Sequence, residues 1–546
     1  MKNILHTAVI VFWSILVQTG TSRAQFNSDS SQTYFICNAS GAQSSVVALA
    51  DGNGGTYSLW IDKRNGNAGT AVYGQHMDSL GVPLWAVNGK PLAEAVSKEI
   101  WQMTAISWQN GILLSWVQGG FGSGGDTLFC NYYDHDGISI WAQPTVVANK
   151  QGSIIYVNGG GLNIIPNDSG ATIINSVTFN GGNDIMTFNR VDFSGNLRWP
   201  LDSMFYQGNG FYYASASDNH NGFYVSASTG GLGYPIYVGH FDLQGNQTIS
   251  SPVNVCGSAG GRGNSAWNIF ADADTNGYVV WGSYGNNDIS VSKIKPDGSM
   301  PWSDVKSVCT ADGTQDIPDA VFDGTNIYVT WNDGRPGASN AYIYMQKLDT
   351  AGNALWSSDG IEISNLNSYI PVPKIIKSGN NIYAAYLVGG GFRSQQVQPD
   401  SSVVWYQNGV VINVNNPPFY GDYKLVSAAD GSVTAVWTDD YQDICAARVR
   451  PNGSLTAIAE QEGSVSGLFP NPATDQFSIR LNNSNVRPVI LGIYNAMGVL
   501  VREGEYLPDV NGTITVGAED LAGGIYFVKV AGTGYVSGTK VCISKK

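Results

Sequence analysis

The chain has 546 residues, of which 13% are charged and 11% aromatic, with 67 glycines, a formal net charge of −14 and a pI near 4.7. That length admits two or three domains, and the Gly-, Trp- and Tyr-rich, charge-poor composition points to all-β structure. The acidic balance excludes a nucleic-acid or anionic-membrane partner, since either requires a basic face.

Met1 to Ala24 carries Lys2 and His6, an apolar stretch from Ala8 to Val17, then Ser22-Arg23-Ala24 before Gln25. Small residues at −3 and −1 mark a cleavable export signal, residues 1–24. With no Cys at the mature start, a lipoprotein anchor is not expected. No later run reaches the roughly eighteen apolar residues of a transmembrane segment.

From Asp78 the pattern D-x-x-G-x-x-x-W recurs, at Asp78 to Trp85, Asp192 to Trp199 and Asp349 to Trp356, with shortened copies ending at Trp141, Trp302 and Trp405. A period near fifty residues with strand-like filling predicts a β-propeller over residues 25–459. One unit reads from Ser307 to Trp356. It has the strands Ala320-Val-Phe, Ile327 to Trp331, Ala341 to Leu348 and Ala354-Leu-Trp356, separated by turns at Asp323-Gly324 and Asp349. Eight units follow this order between Val47 and Leu455, with seven as the alternative where units are degenerate. Trp60, Trp116, Trp281, Trp331 and Trp437 share a second repeated position. Indoles that bury about 150 to 250 Å² each belong to packing between blades before any role in sugar stacking. Trp101, Trp108 and Trp267 lie outside both positions and keep a binding role open. Tyr34-Phe-Ile-Cys37 matches Ser307-Val-Cys309, the last strand of an internal blade, and is predicted to supply the missing outer strand of the final blade, closing the ring.

Cys37, Cys256 and Cys309 share one repeat position, and Cys130 and Cys445 another. Equivalent positions in different blades are too far apart to bridge, so these are expected to be free, buried thiols.

Four patterns have chemical potential. Asp272-x-Asp274-x-Asn276-Gly277 matches the first half of a calcium loop, yet no glutamate closes it, and the turn reading is preferred. Trp60-x-Asp62-x-Arg64, Trp331-x-Asp333-x-Arg335 and Trp437-x-Asp439, with Asp440, place carboxylates at one strand end in three blades. A pair of these about 5 to 10 Å apart would suit glycoside hydrolysis. Their recurrence argues instead for bracing of loops. His76 and His240 occupy matching third strands, and the histidines have no metal-ligand spacing. The segments Val117 to Asp126, Ser228 to Tyr234 and Val388 to Arg393, rich in Gly and aromatic residues, are read as long loops, and Gly159-Gly-Gly161 as loop material.

A polar stretch, residues 460–466, precedes a change of pattern. Leu468-Phe-Pro470-Asn471-Pro472, the alternation Phe477, Ile479, Leu481, the strand and turn from Ile490 to Gly498, Gly523-Gly524-Ile525-Tyr526 and the closing Lys540-Val541 predict a small Ig-like antiparallel β-sandwich over 467–546. These motifs in this order resemble the C-terminal (type A) sorting domain of the type IX secretion system. The resemblance implies a Gram-negative cargo that crosses the inner membrane by its signal, then the outer membrane by this domain. It also implies removal of the domain, with a cut expected within 460–467, and release or attachment at the surface, with the type IX machinery as partner. The Trp-ended repeat is also similar to that of eight-bladed pyrroloquinoline-quinone propellers, whose members include dehydrogenases and non-catalytic scaffolds. The dehydrogenases' adjacent Cys pair and the Thr before the docking Gly are missing, so no cofactor is carried over. The expected function is binding of a glycan or protein ligand at the channel mouth. The alternatives are a polysaccharide hydrolase or lyase using acids among Asp62, Asp333, Asp439 and Asp440, and a structural surface or adhesin component.

Overall fold

A computed structural model describes residues 26–545 except 96–97, 120–124, 150–152, 155–161, 180–183, 201–203, 208–211, 229–231, 258–260, 263–267, 284–286, 336, 338–340, 369–371, 456–464, 482–487, 496–498 and 533–534. The proposed signal, Trp267, Gly498, the Gly159 triplet and most of the proposed linker lie outside the described residues. The chain divides into two compact units, up to residue 457 and from 458.

In the first unit the strands succeed one another as small antiparallel sheets, each built by chain neighbours joined through turns. The first sheet holds Gln43–Ala50, Thr56–Asp62, Ala71–Met77 and Lys90–Glu94, in that order. Sheets led by Glu99–Trp108, Asn163–Asn167, Tyr212–Ser217, Asn268–Ala271, Gln315–Phe322, Lys374–Ser378 and Pro418–Ser427 follow. Second strands such as Thr56–Asp62 and Val433–Asp439 are buried along their whole length, as expected for strands enclosed by a neighbouring sheet on each face. The leading strands touch one another in succession, and Gln43–Ala50 touches Pro418–Ser427 of the last sheet. The sheets therefore stand around a common axis, with the unpaired edges of their leading strands inward: a β-propeller.

The ring closes as the sequence predicted. Tyr34–Cys37 pairs antiparallel with Ile444–Val449, Tyr34 opposite Ala446 and Phe35 opposite Cys445, and so becomes the outer strand of the last sheet. One apolar cluster joins the first and last sheets, with Phe26, Tyr34 and Ile36 against Trp60, Met77, Val436 and Ile444. The segment before the closing strand is tied down as well: Val414 N–H donates to Ser30 O at 3.1 Å and Thr33 Oγ1 to Asn416 Oδ1 at 2.9 Å.

Adjacent sheets are locked by the repeated Trp. Trp85 Nε1 donates to His135 O, Trp141 to Phe193 O and Trp356 to Pro399 O, each at 3.1 Å, and Trp405 to Pro451 O at 3.2 Å. Every acceptor lies in the corresponding turn of the next sheet. The turn is shaped by its Asp: Asp192 Oδ1 accepts from Ser194 N and Asn196 N, both at 2.9 Å. Its Gly is required twice over. Gly195 has φ 83°, and a Cβ there would come within 2.7 Å of the Trp141 ring. At the closing junction Phe26 takes the place of Trp, lying over Gly81, while Tyr34 OH donates to Gly81 O at 2.9 Å.

Two expectations are corrected. Ala354-Leu-Trp356 is not a fourth strand: Ala354 forms an isolated bridge with Leu348, and the fourth strand is Ile361–Ser368. The chain leaves the sheet there, and the indole turns out over the next sheet's turn, where Ser401 with φ 76° stands in the place of the docking glycine. Val388 to Arg393 is not a long loop either, since Val388 pairs with Gly391 across a two-residue turn with φ 57° at Gly389 and 75° at Gly390.

In the second unit, Val465–Phe469, Gln476–Leu481 and Thr513–Gly517 form one antiparallel sheet. Leu500–Tyr506, Val489–Asn495, Gly524–Gly532 and Tyr535–Ile543 form another. Alternate residues of both, including Phe477, Ile479, Leu491, Ile493, Val516 and Val528, share one core. Asn471 joins the Pro470-Asn471-Pro472 segment to the last strand, donating to Lys540 O at 3.1 Å and accepting from Cys542 N at 2.8 Å. Tyr526 turns inward and donates to Ala522 O at 3.1 Å, while Gly523, Gly524 and Ile525 stay on the surface.

Candidate functional site

Asp62 and Asp333, each ending a second strand, are almost fully enclosed at 1% and 0% exposure. Asp333 Oδ2 accepts from Trp331 Nε1 and from Arg335 Nη2, and Oδ1 accepts from Arg335 Nε, all at 2.8 Å, with Arg335 N donating to Oδ1 at 2.9 Å. Around Asp62 the same donors recur, Trp60 Nε1 and the backbone and side chain of Arg64, at 2.7 to 2.9 Å. Each guanidinium also stacks 3.8 Å over a tyrosine ring, Tyr73 or Tyr344, and donates to a carbonyl before the fourth strand, Asn88 O or Asp359 O. Both reach the thiol of a neighbouring sheet's outer strand, Cys37 or Cys309, at 3.4 Å. Burial pushes these thiols up, Cys37 to about 11 and Cys309 to about 12, so each meets the guanidinium protonated.

Asp439 is fully buried but differently held. Its Oδ2 accepts from Asn416 Nδ2 at 2.7 Å and its Oδ1 from Tyr441 N and Asp443 N at 2.9 Å, while Trp437 Nε1 turns to Asn416 O at 2.7 Å. Burial and the Asp439 charge hold Asp443 above the ordinary carboxyl value. Asp440, next in the chain, is exposed. The three buried carboxylates are thus consumed by internal donors, and Asp440 alone of the four faces solvent.

At the opposite strand ends, Asp272 Oδ1 accepts from Asp274 N at 3.0 Å and Asn276 N at 2.9 Å. Its Oδ2 accepts from Tyr278 OH at 2.9 Å, with Lys293 Nζ 3.6 Å away. The donors converging on this carboxylate are N–H and O–H groups, and an ammonium stands where a calcium ligand set needs oxygen, so the segment is built as a turn. Third-strand histidines serve related turns: His76 Nε2 lies 3.0 Å from Asp51 and His240 Nε2 3.1 Å from Asp218. Arg448 takes the same role on Asp430 at 3.0 Å. Burial opposes ionisation of Asp218, but His240 and two backbone N–H groups prevail and hold it below the ordinary carboxyl value. The described cysteines are all free, and five of the six are buried. Trp108 is enclosed among Tyr132, Trp141 and Phe193, and Trp101 packs against the same core.

The feature missed in the sequence lies on the leading strands. Strand register places Val47, Thr104, Asn163, Ala214, Asn268, Asp319, Lys374 and Lys424 at one equivalent level of the ring. The first five are uncharged; the last three, Asp319, Lys374 and Lys424, are charged. Asp319 accepts from Asn268 Nδ2 at 2.9 Å on one side and from Ile375 N at 2.8 Å on the other. Burial raises its carboxyl above the ordinary value despite Lys374. A cavity of about 650 Å³ adjoins it, lined by Ala216, Asn268, Phe270, Ala320, Phe322 and Asp323 among others. Phe270 and Phe322 stack there with centroids 6.1 Å apart. Only an alignment of the leading strands with one another would have exposed this break in the repeat.

Fold and sites define a β-propeller followed by a two-sheet unit. Residues 467–544 match the family model of the secretion system C-terminal sorting domain. The chain is accordingly a cargo of the type IX secretion system, exported to the cell surface or the extracellular space. No curated relative matches it. Among solved structures, the β-propeller domain of the Trilobed protease from Pyrococcus furiosus aligns at 7% identity and TM-score 0.37, over 69% of this chain and 99% of that domain. A prolyl endopeptidase structure aligns at 12% identity and TM-score 0.38, over 71% of this chain and 55% of that one. The Hadza microbial sialidase Hz136 aligns at 10% identity and TM-score 0.34, over 55% of this chain and 66% of that one. The chain thus spans little more than half the length of the prolyl endopeptidase, and no activity follows from scores of this size.

Proposed function

We propose that residues 25–459 form an eight-bladed propeller, joined through 460–466 to an Ig-like sorting sandwich, and that the propeller binds a glycan or protein ligand at its channel mouth. The observation that carries this reading is the complete internal satisfaction of Asp62, Asp333 and Asp439, which leaves no accessible carboxylate pair among them for acid–base work. The eight-sheet order and the closing strand support the blade count. Incubating the exported protein with a panel of polysaccharides, while reading retention and new reducing or unsaturated ends together, tests the reading. Retention without products is expected. Products that vanish in Asp440→Asn would make the protein a hydrolase or lyase instead, and absence of both signals would overturn the glycan and leave a protein as the ligand.

A further inference from the structure

Around the axis the repeat is broken in shape as well as in charge. At the level where other leading strands carry Leu49, Ile106, Ile165, Ile376 and Val426, the fourth sheet presents Ala216 and the fifth Phe270. One residue further on, where other sheets carry Ala50, Ser107, Pro166, Ala271 and Ser427, the sixth presents Phe322. The seventh carries Lys377 there, its ammonium spent on Asp323 O at 2.8 Å. The fourth sheet thus withdraws a side chain close to where the sixth adds a ring, and Ala216 and Phe322 both line the 650 Å³ cavity. A site that departs from the repeat in both directions is not what packing between equivalent blades requires.

The rings of Phe270, Phe322 and Tyr278 lie within 13° to 22° of parallel, their centroids 5.7 to 6.1 Å apart. Tyr278 is buried and fixed by its hydroxyl bond to Asp272, while Phe270 and Phe322 are half-buried and line the cavity. The polar lining is amide and hydroxyl. Asn219 Nδ2 donates to Ala271 O at 2.9 Å and to Asp272 O at 3.3 Å, which leaves its Oδ1 to accept. Ser217 Oγ accepts from Asn219 N at 3.0 Å, which leaves its O–H to donate. No lysine, arginine or histidine stands among the described lining residues, and their one carboxylate, Asp323, accepts from Thr325 N and Asn326 N. An anion therefore meets no counter-charge in the cavity. The volume falls within the range of small-ligand sites, and the negative face of an aromatic ring suits the C–H face of a sugar. We propose that this cavity binds a neutral sugar unit of a polysaccharide, its apolar face against Phe270 and Phe322 and its hydroxyls on Ser217 and Asn219. This rests on the binding-module reading above and names the ligand class and its place.

Calorimetric titration of the full exported protein with cellotetraose, maltotetraose, mannotetraose and xylotetraose tests it, beside tetragalacturonate as a charged glycan and benzyl alcohol as a flat apolar ring. At least one neutral tetrasaccharide is expected to bind at least about tenfold more tightly than either control, with an affinity that salt leaves unchanged. Two variants restore the repeat: Ala216→Leu gives the fourth sheet the residue of the first, and Phe322→Ser gives the sixth the residue of the second. Each should weaken binding at least about tenfold. Ala216→Leu fills open space and is expected to melt no lower than wild type, so its loss of affinity is not a loss of fold; should either variant melt early, the wild-type ranking and its salt independence decide. Equal binding of tetragalacturonate or of benzyl alcohol overturns the neutral sugar. Unchanged affinity in both variants overturns the site and leaves the binding module intact. Binding of none of the four overturns the inference and leaves the module with a protein ligand, whereas cleavage of a tetrasaccharide bound here overturns the binding-module reading and keeps the site.

Discussion

The strand end at Asp62 and Asp333 and the strand end at Asp439 began as one motif and are held by different means. In the first and sixth sheets an arginine two residues on closes a fork over the carboxylate and reaches the thiol of the neighbouring sheet. In the last sheet Tyr441 stands at that place, and the donor comes from Asn416, which also holds Thr33 of the entering chain. The same need, to satisfy a buried carboxylate at a sheet junction, is met by a charge pair within a blade or by a neutral amide where the entering chain meets the last sheet. A recurring acid is therefore weak evidence for catalysis until its donors are known.

The sharpest way to break this comparison is Asp333→Ala against Asp439→Ala. The first strands Arg335, a quarter exposed, without its partner and is expected to destabilise by about 3 kcal/mol. The second leaves only neutral donors unpaired and should cost about 1 to 2 kcal/mol. Urea unfolding measures both, and equal losses would show that the charge pair adds nothing over the amide. Trp356→Ala follows at about 2 kcal/mol, because the indole is half-buried and loses both its packing and its bond to Pro399 O. A smaller loss would mean that the neighbouring turn stands without its dock. The least effect is on pH dependence. Asp218 titrates below its unfolded value, so its contribution is present above about pH 4 and is lost as pH falls through the depressed folded value. Melting scans from pH 6 to pH 3 should show a shallower acid decline in Asp218→Asn than in wild type.

Much of this architecture was readable because packing repeats. In most docks a Trp must meet a Gly of the next sheet's turn, so the two recur at one spacing, and the match of Tyr34 to Cys37 with Ser307 to Cys309 gave away the closure. What misled was local. Trp356 ends an apolar triplet that reads as a strand, whereas its indole belongs to the next sheet, and the glycines at 389 and 390 read as a loop although their positive φ makes the tightest hairpin. Lys374 and Lys424 were invisible for the opposite reason. They lie fifty residues apart in the sequence, follow no motif, and become neighbours only when successive leading strands are set side by side around the axis.

The pairing of Tyr34–Cys37 with Ile444–Val449 also imposes an order in time. The last sheet cannot be completed until about four hundred intervening residues have been made, a long loop whose closure slows folding. The residues matched to the sorting domain begin at 467, shortly beyond Val449. The chain that carries a finished export tag therefore already carries everything needed to seal its ring.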